Sequence, residues 1–148
     1  MKDMQRVDFD SLQTKADQTI VYQGQPFTGI AVETRSDGTL MCETEFVEGV
    51  QNGASREWST RGQLIAEDTY WNGSKHGICR RWLESGQPAS EDTYEYSIKT
   101  KHKEWDATGR MIDKWKLSQT DPNFGLLEQL RKSYDIKSPK VSRSGPPD

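Results

Sequence analysis

YWNGSKHGICRRW, residues 70–82, carries a spacing that recurs along the chain. Tyr70 is followed by Gly77, then Trp82, then Gly86. The same rhythm stands 24 residues earlier in FVEGVQNGASREW, as Phe46, Gly53, Trp58 and Gly62. Another 24 residues back, Tyr22, Gly29 and Gly38 keep the places, with Thr34 where the Trp falls elsewhere. A fourth copy begins at Tyr94 and is worn: Trp105 and Gly109 come one residue early, and Lys101 stands at a glycine place. A motif repeated at fixed period is one supersecondary unit copied, and it belongs to the architecture before it belongs to any chemistry. Terminal copies are commonly atypical because nothing stacks beyond them.

Inside a copy the chain alternates. Leu64, Ala66, Asp68 and Tyr70 share one parity, and Ile65, Glu67 and Thr69 the other, which is strand periodicity. Ser59-Thr60-Arg61-Gly62 and Leu83-Glu84-Ser85-Gly86 read as tight turns with glycine at a positive φ, and a three-residue hairpin loop with a glycine bulge fits them. Trp71 to Gly77 reads as a longer return loop. Each copy then holds two strands. The predicted fold is mainly β: a single antiparallel meander sheet of 24-residue β-hairpin repeats, with a C-terminal α-helix packed on or capping the sheet. One domain is expected over 1–137: an N-terminal cap at 1–21 carrying Val7, Phe9 and Leu12; repeats at 22–45, 46–69 and 70–93; a degenerate repeat at 94–117; and a helix at 121–135. Asp121 serves as its N-cap and Pro122 lies in its first turn, and Phe124, Leu127, Leu130 and Tyr134 recur at helical spacing. The Pro- and Ser-rich stretch 138–148 is expected to be a disordered tail.

Unbroken parity assigns two faces. Ile30, Val32, Leu40, Cys42, Phe46, Trp58, Leu64, Ala66, Tyr70, Ile78, Trp82 and Tyr94 form a packed face, interrupted by Arg56, Arg80, Asp68 and Asp92. Glu33, Glu43, Glu45, Glu57, Glu67, Arg81 and Glu91 form an open and mostly acidic one. The register implied by the turns sets Asp68 opposite Arg80 as a structural ion pair, Glu43 opposite Glu57, and Glu67 opposite Arg81.

The totals narrow the function. Hydrophobic residues make up 32% of the 148 and charged ones 29%, which suits a thin fold with much solvated surface. The net charge of −3 argues against direct nucleic-acid binding, which wants a basic surface. No apolar run approaches the roughly 20 residues of a membrane span, and MKDMQRVDFDSL has no signal-type apolar stretch, so a cytoplasmic protein is expected. Cys42 and Cys79 read as small reduced core residues rather than a disulfide.

An enzyme needs a unique constellation, and a repeat supplies the opposite. Glu67-Asp68 and Glu91-Asp92 resemble paired acid–base carboxylates, yet they recur at repeat spacing and read as strand-pairing residues. Two histidines and two scattered cysteines make no recognisable metal set, no phosphate loop or nucleophile elbow is present, and no cofactor is implied. The basic run from Lys99 to Lys103 around His102 reads as an edge strand guarded by charge.

YQGQPFTGI, the Asp37-Gly38 turn, and FVEGVQNGASREWSTRGQLIAEDTYWNGSKHGICRRW resemble the MORN-repeat-variant proteins, and within them the YwqK-type antitoxin or immunity family. The resemblance runs from Tyr22 to Trp115. It implies a non-enzymatic protein that binds and neutralises a cognate toxin as a stoichiometric inhibitor. Its motif marks the fold and carries no functional residue. The open face of Glu33, Glu43, Glu45, Glu57, Glu67, Arg81 and Glu91, with Trp71 as aromatic anchor, is the expected partner-binding surface, suited to a toxin with a basic nucleic-acid- or nucleotide-binding cleft and speeding association by steering. The alternative is a MORN-type scaffold touching membranes or cytoskeletal proteins, which an acidic face disfavours.

Overall fold

Two kinds of turn, alternating along the chain, build the molecule. In the computed structural model, which describes residues 4–137, the strands are β1 (Arg6–Asp8), β2 (Gln13–Thr14), β3 (Ile20–Tyr22), β4 (Gln25–Pro26), β5 (Gly29–Thr34), β6 (Leu40–Val47), β7 (Val50–Trp58), β8 (Leu64–Trp71), β9 (Ser74–Lys75), β10 (Gly77–Trp82), β11 (Pro88–Glu95), β12 (Ile98–Trp105) and β13 (Met111–Lys116), followed by the helix α1 (Pro122–Lys137). The tail expected at 138–148 lies outside the described residues.

The first kind of turn closes β5–β6, β7–β8, β10–β11 and β12–β13. In each, an amide and a carbonyl repeat the same bonds: Ser59 N donates to Gln63 O and Gly62 N to Ser59 O, and Leu83 N donates to Gln87 O and Gly86 N to Leu83 O. The closing glycines Gly62 and Gly86 have φ of 83° and 89°, the left-handed value a glycine bulge requires. The residue after the turn register slips is a Trp in three of the four hairpins: the register shifts between Glu57 and Trp58, Arg81 and Trp82, and Glu104 and Trp105. In the first hairpin Thr34 takes that place, and Arg35 ties the turn to the next one through its guanidinium, donating to Leu40 O (3.0 Å) and Trp58 O (2.5 Å).

The second kind corrects the expectation of a longer return loop over 71–77. Asn72 and Gly73 both have positive φ (47° and 84°), which is the two-residue turn that Asn-Gly favours because its twist matches that of the strands. β9 follows directly, pairing Tyr70 with Lys75 and Trp71 with Ser74. Glu48-Gly49 turns likewise, and in the fourth copy Tyr96-Ser97 does so with no glycine at all (φ 49° and 66°). Successive turns are bonded to the backbone of the preceding copy: Gly49 N to Phe27 O, Gly73 N to Gln51 O and Ser97 N to Lys75 O, each 2.8 Å.

The result is a ten-stranded sheet in the order β1-β5-β6-β7-β8-β10-β11-β12-β13, with β9 beside β8, and a small sheet β2-β3-β4. Every neighbouring pair of the large sheet is antiparallel except β1, which adds to β5 in parallel. The apolar core lies at the N-terminal end, where Phe27, Ala31 and Phe46 are buried and Val7, Leu12, Ile20 and Tyr22 pack against them. Phe27 meets Phe46 at 6.0 Å and Tyr22 edge-on at 6.1 Å. Phe9, expected in the same cap, is exposed. Elsewhere the buried sheet residues are small ones, Ala66, Cys79 and Thr100. Both cysteines are free thiols, as the composition suggested. Burial pushes the Cys42 thiol pKa up, and Glu57 and Glu33, which pair with it from either side, push it further.

The helix begins where the sequence placed it. The Asp121 carboxylate accepts from Asn123 N at 2.8 Å and caps the first turn. Leu127 is buried and Tyr134 stacks flat on Tyr96, with centroids 4.8 Å apart and planes at 6°. Arg131 forks the Glu95 carboxylate at 2.9 and 2.6 Å. These contacts seat α1 at the turn end of β8 and β11.

Candidate functional site: an alternating charge ladder

Residues paired across adjacent strands project to the same face. The register therefore decides which charges meet, and it differs from unbroken parity by one residue. The two-residue turn at Glu48-Gly49 sets Val47 opposite Val50, and a bulge at each Trp-bearing turn inserts one residue that alternation does not count; each sets odd-numbered residues opposite even-numbered ones. Glu43 pairs with Arg56, not Glu57. Arg56 pairs with Glu67, Glu67 with Arg80 rather than Arg81, Arg80 with Glu91, and Glu91 with Lys103. One row across six strands thus reads Glu43, Arg56, Glu67, Arg80, Glu91, Lys103, alternating in sign at every step.

The side chains along the row engage one another. Arg56 Nε donates to Glu67 Oε2 at 2.7 Å, and Arg80 Nη1 stands 4.0 Å from Glu67 Oε1. Arg80 Nε donates to Glu91 Oε2 at 3.1 Å, and Lys103 Nζ lies 3.8 Å from Glu91 Oε1. Glu43 takes Arg6 of β1 at 2.6 Å. Exposed pairs of this kind stabilise by roughly 0.2–1 kcal/mol each, so the row contributes more through its register than through any member. Glu45 shares this face with Glu43, and its carboxylate turns inward to accept from Ala54 N. Gly53 beside it has a φ of 109°, a backbone conformation that L side chains rarely adopt, and a Cβ there would also come 2.7 Å from that carboxylate.

The opposite face carries the rest. Glu33 and Glu57 flank Cys42, and Glu57 continues to Ala66 and Arg81. Asp68 pairs with Ser55, and its ion-pair partner is Arg81 on the diagonal rather than Arg80: Arg81 Nη1 and Nη2 donate to the two carboxylate oxygens at 2.9 and 3.0 Å. Burial opposes ionisation of Asp68, and the guanidinium fork outweighs it, so its pKa lies below the usual carboxylate range. The mostly acidic open face is thus corrected: Glu43, Glu45, Glu67 and Glu91 share one side with Arg56 and Arg80, and Glu33, Glu57 and Arg81 lie on the other. The apolar set divides in the same way, with Ile30, Val32 and Ile78 on the ladder side.

Trp71 is not at an open loop tip. It ends β8 and meets Tyr134 of α1 edge-on at 5.3 Å, with His76 at 5.8 Å and Tyr96 at 6.0 Å. Its ring docks the helix. The signal for this was present in the helical spacing of Tyr134, but nothing in the sequence tied that tyrosine to Trp71. Among the described residues no helix is long and apolar enough to cross a membrane.

No family model matches the chain and no solved structure matches it. The immunity protein YwqK of Bacillus subtilis (strain 168) is 52% identical to it over 111 residues, which is 75% of this chain and 72% of that protein. At that identity and span the chain belongs to the YwqK immunity-protein family.

Proposed function

We propose that this protein is a non-catalytic inhibitor that binds a cognate protein toxin and neutralises it in the cytoplasm of the cell that makes both. The observation that carries the reading is the 52% identity to an immunity protein over three quarters of the chain. The fold supports it: a broad sheet presents ordered charged side chains, and we read its 24-residue hairpin repeat as a variant of the MORN repeat.

The contact surface in this reading is the ladder face. The Arg56 and Arg80 side chains are each 41% exposed and stand above Glu67 and Glu91, at 23% and 27%. Opposite charges a strand apart cancel beyond about a Debye length of 8–10 Å. Such a surface selects a partner by local matching of charge pairs and does little long-range steering. It therefore suits a toxin surface of interleaved charges better than a uniformly basic cleft.

A charge swap tests this. Exchanging Arg80→Glu together with Glu91→Arg keeps the internal pair and inverts the pattern a partner meets. The toxin is first captured with a tagged chain from the producing cells, and binding is then measured with the purified pair. The swap also sets like charges beside Glu67 and Lys103, so the expected result is a slightly lowered melting temperature with the fold intact by circular dichroism, and affinity lowered roughly tenfold or more, since misplaced like charges are costly at an interface. Equal affinity for the swapped and natural chains would remove the ladder face from the interface. Failure of the natural chain to hold any toxin would remove the inhibitor reading itself.

A further inference from the structure

Three donor side chains converge at the last hairpin of the sheet. His102 and Glu104 are two apart on β12 and share a face, and the register sets Glu104 opposite Asp113 on β13. His102 Nε2 lies 3.5 Å from Glu104 Oε2 and 3.6 Å from Asp113 Oδ2, and one donor atom from each of the three falls within 4.8 Å of the others. Donors bound at about 2.0–2.2 Å around a tetrahedral zinc ion stand roughly 3.3–3.6 Å apart, which the two distances from His102 Nε2 match, and a small shift of the half-exposed carboxylates brings the third into range.

The imidazole is held for the task. Its Nδ1 is 2.5 Å from Asp92 Oδ1 on β11, which fixes the ring and leaves Nε2 facing the two carboxylates. A carboxylate behind the ring is the usual support of a metal-ligating histidine. His102 is mostly shielded, with 14% of its side chain exposed, whereas Glu104 and Asp113 are about half exposed, so an ion has a path from solvent and a coordination position left for water. Glu104 and Asp113 are also directly opposed like charges, an unfavourable pairing that a cation between them relieves. Lys103 and Lys114, opposite each other in the adjacent row, lie on the other face.

We propose that His102, Glu104 and Asp113 form a binding site for a divalent transition-metal ion, zinc best fitting one imidazole and two carboxylates at this spacing, with Asp92 as the positioning residue. The ion staples β13, the outer strand of the sheet, to β12. It needs no toxin, so it stands apart from the inhibitor reading. Sequence reasoning missed the set because Asp113 joins it only through the register.

Titration calorimetry of the metal-stripped full chain with zinc chloride is the direct test, with melting curves alongside. One zinc ion per chain is expected, with a raised melting temperature, and cobalt(II) in its place is expected to give the visible absorption of a low-coordinate ion. Glu104→Gln and Asp113→Asn alter half-exposed groups and leave the apo fold intact by circular dichroism. Each is expected to weaken zinc binding roughly tenfold or more, and Asp92→Asn to weaken it within the 10–100-fold range of outer-shell partners while changing the cobalt spectrum. No saturable heat at millimolar zinc would overturn the site. Zinc affinity unchanged in both the Glu104→Gln and Asp113→Asn chains would overturn it too, by placing the ion elsewhere.

Discussion

Asp68 and Arg81 show what one residue of register is worth. The carboxylate accepts both arms of a guanidinium and lies beside Lys75 Nζ at 3.4 Å. Such bidentate pairs are the strong members of their class, yet Arg81 is 42% exposed, so water screens part of the gain. Asp68→Asn is expected to cost about 1–2 kcal/mol at neutral pH, measured by urea unfolding. The pH dependence follows from the lowered folded pKa. The stabilisation is fully present above the unfolded value of about 3.9 and is lost as pH falls through the lower folded value. The gap between the natural and Asp68→Asn chains should therefore close below about pH 4; a gap that persists at the acid limit would mean the pair is not its source. The sequence announced an ion pair for Asp68 and named the wrong arginine. Arg80 and Arg81 are adjacent, and the register of β10 on β8, which sets Arg80 opposite Glu67 and Arg81 opposite Ala66, decides between them.

At the scale of elements, turns and helix behave differently. The tight turns were legible because glycine at a left-handed position has a local cause, visible within four residues. The return turn at Asn72-Gly73 was less so: its dipeptide signals a two-residue turn, but the extra residues up to Gly77 suggested a longer loop until β9 was seen to pair. The fourth copy makes the same turn with Tyr96 and Ser97, at a cost of roughly 1–2 kcal/mol for each left-handed non-glycine residue. Tyr96 offsets part of this by stacking on Tyr134. The helix thus depends on a few contacts, the ring stack, the edge of Trp71 and the Arg131–Glu95 fork. Tyr134→Ala is expected to release α1 from the sheet at a cost of about 1–3 kcal/mol. Far-UV dichroism should lose helical signal while the strands remain, and Trp71 fluorescence should shift to the red. A single cooperative loss of all structure would show instead that the sheet needs the helix.

Over the whole molecule, strands meet in nearly the order in which they are made, and each repeat leans only on its neighbours. Stability in such arrays is close to a sum of local terms. The apolar core is at the N-terminal end, whereas every residue of β13 is exposed, Ile112 and Trp115 among them. Hydrogen exchange should therefore be fastest at β13 and slowest in β5 to β8; protection at β13 equal to that of β6 in metal-free protein would contradict this. The sequence by itself determined the period, the long hairpin strands of the repeats, the helix and the tight turns, because each rests on contacts within a few residues. Only the tertiary structure decided which charges stand together, because bulges and hairpin turns carry the alternation from one strand to the next. A chain read residue by residue cannot count an insertion that exists only once two strands are paired.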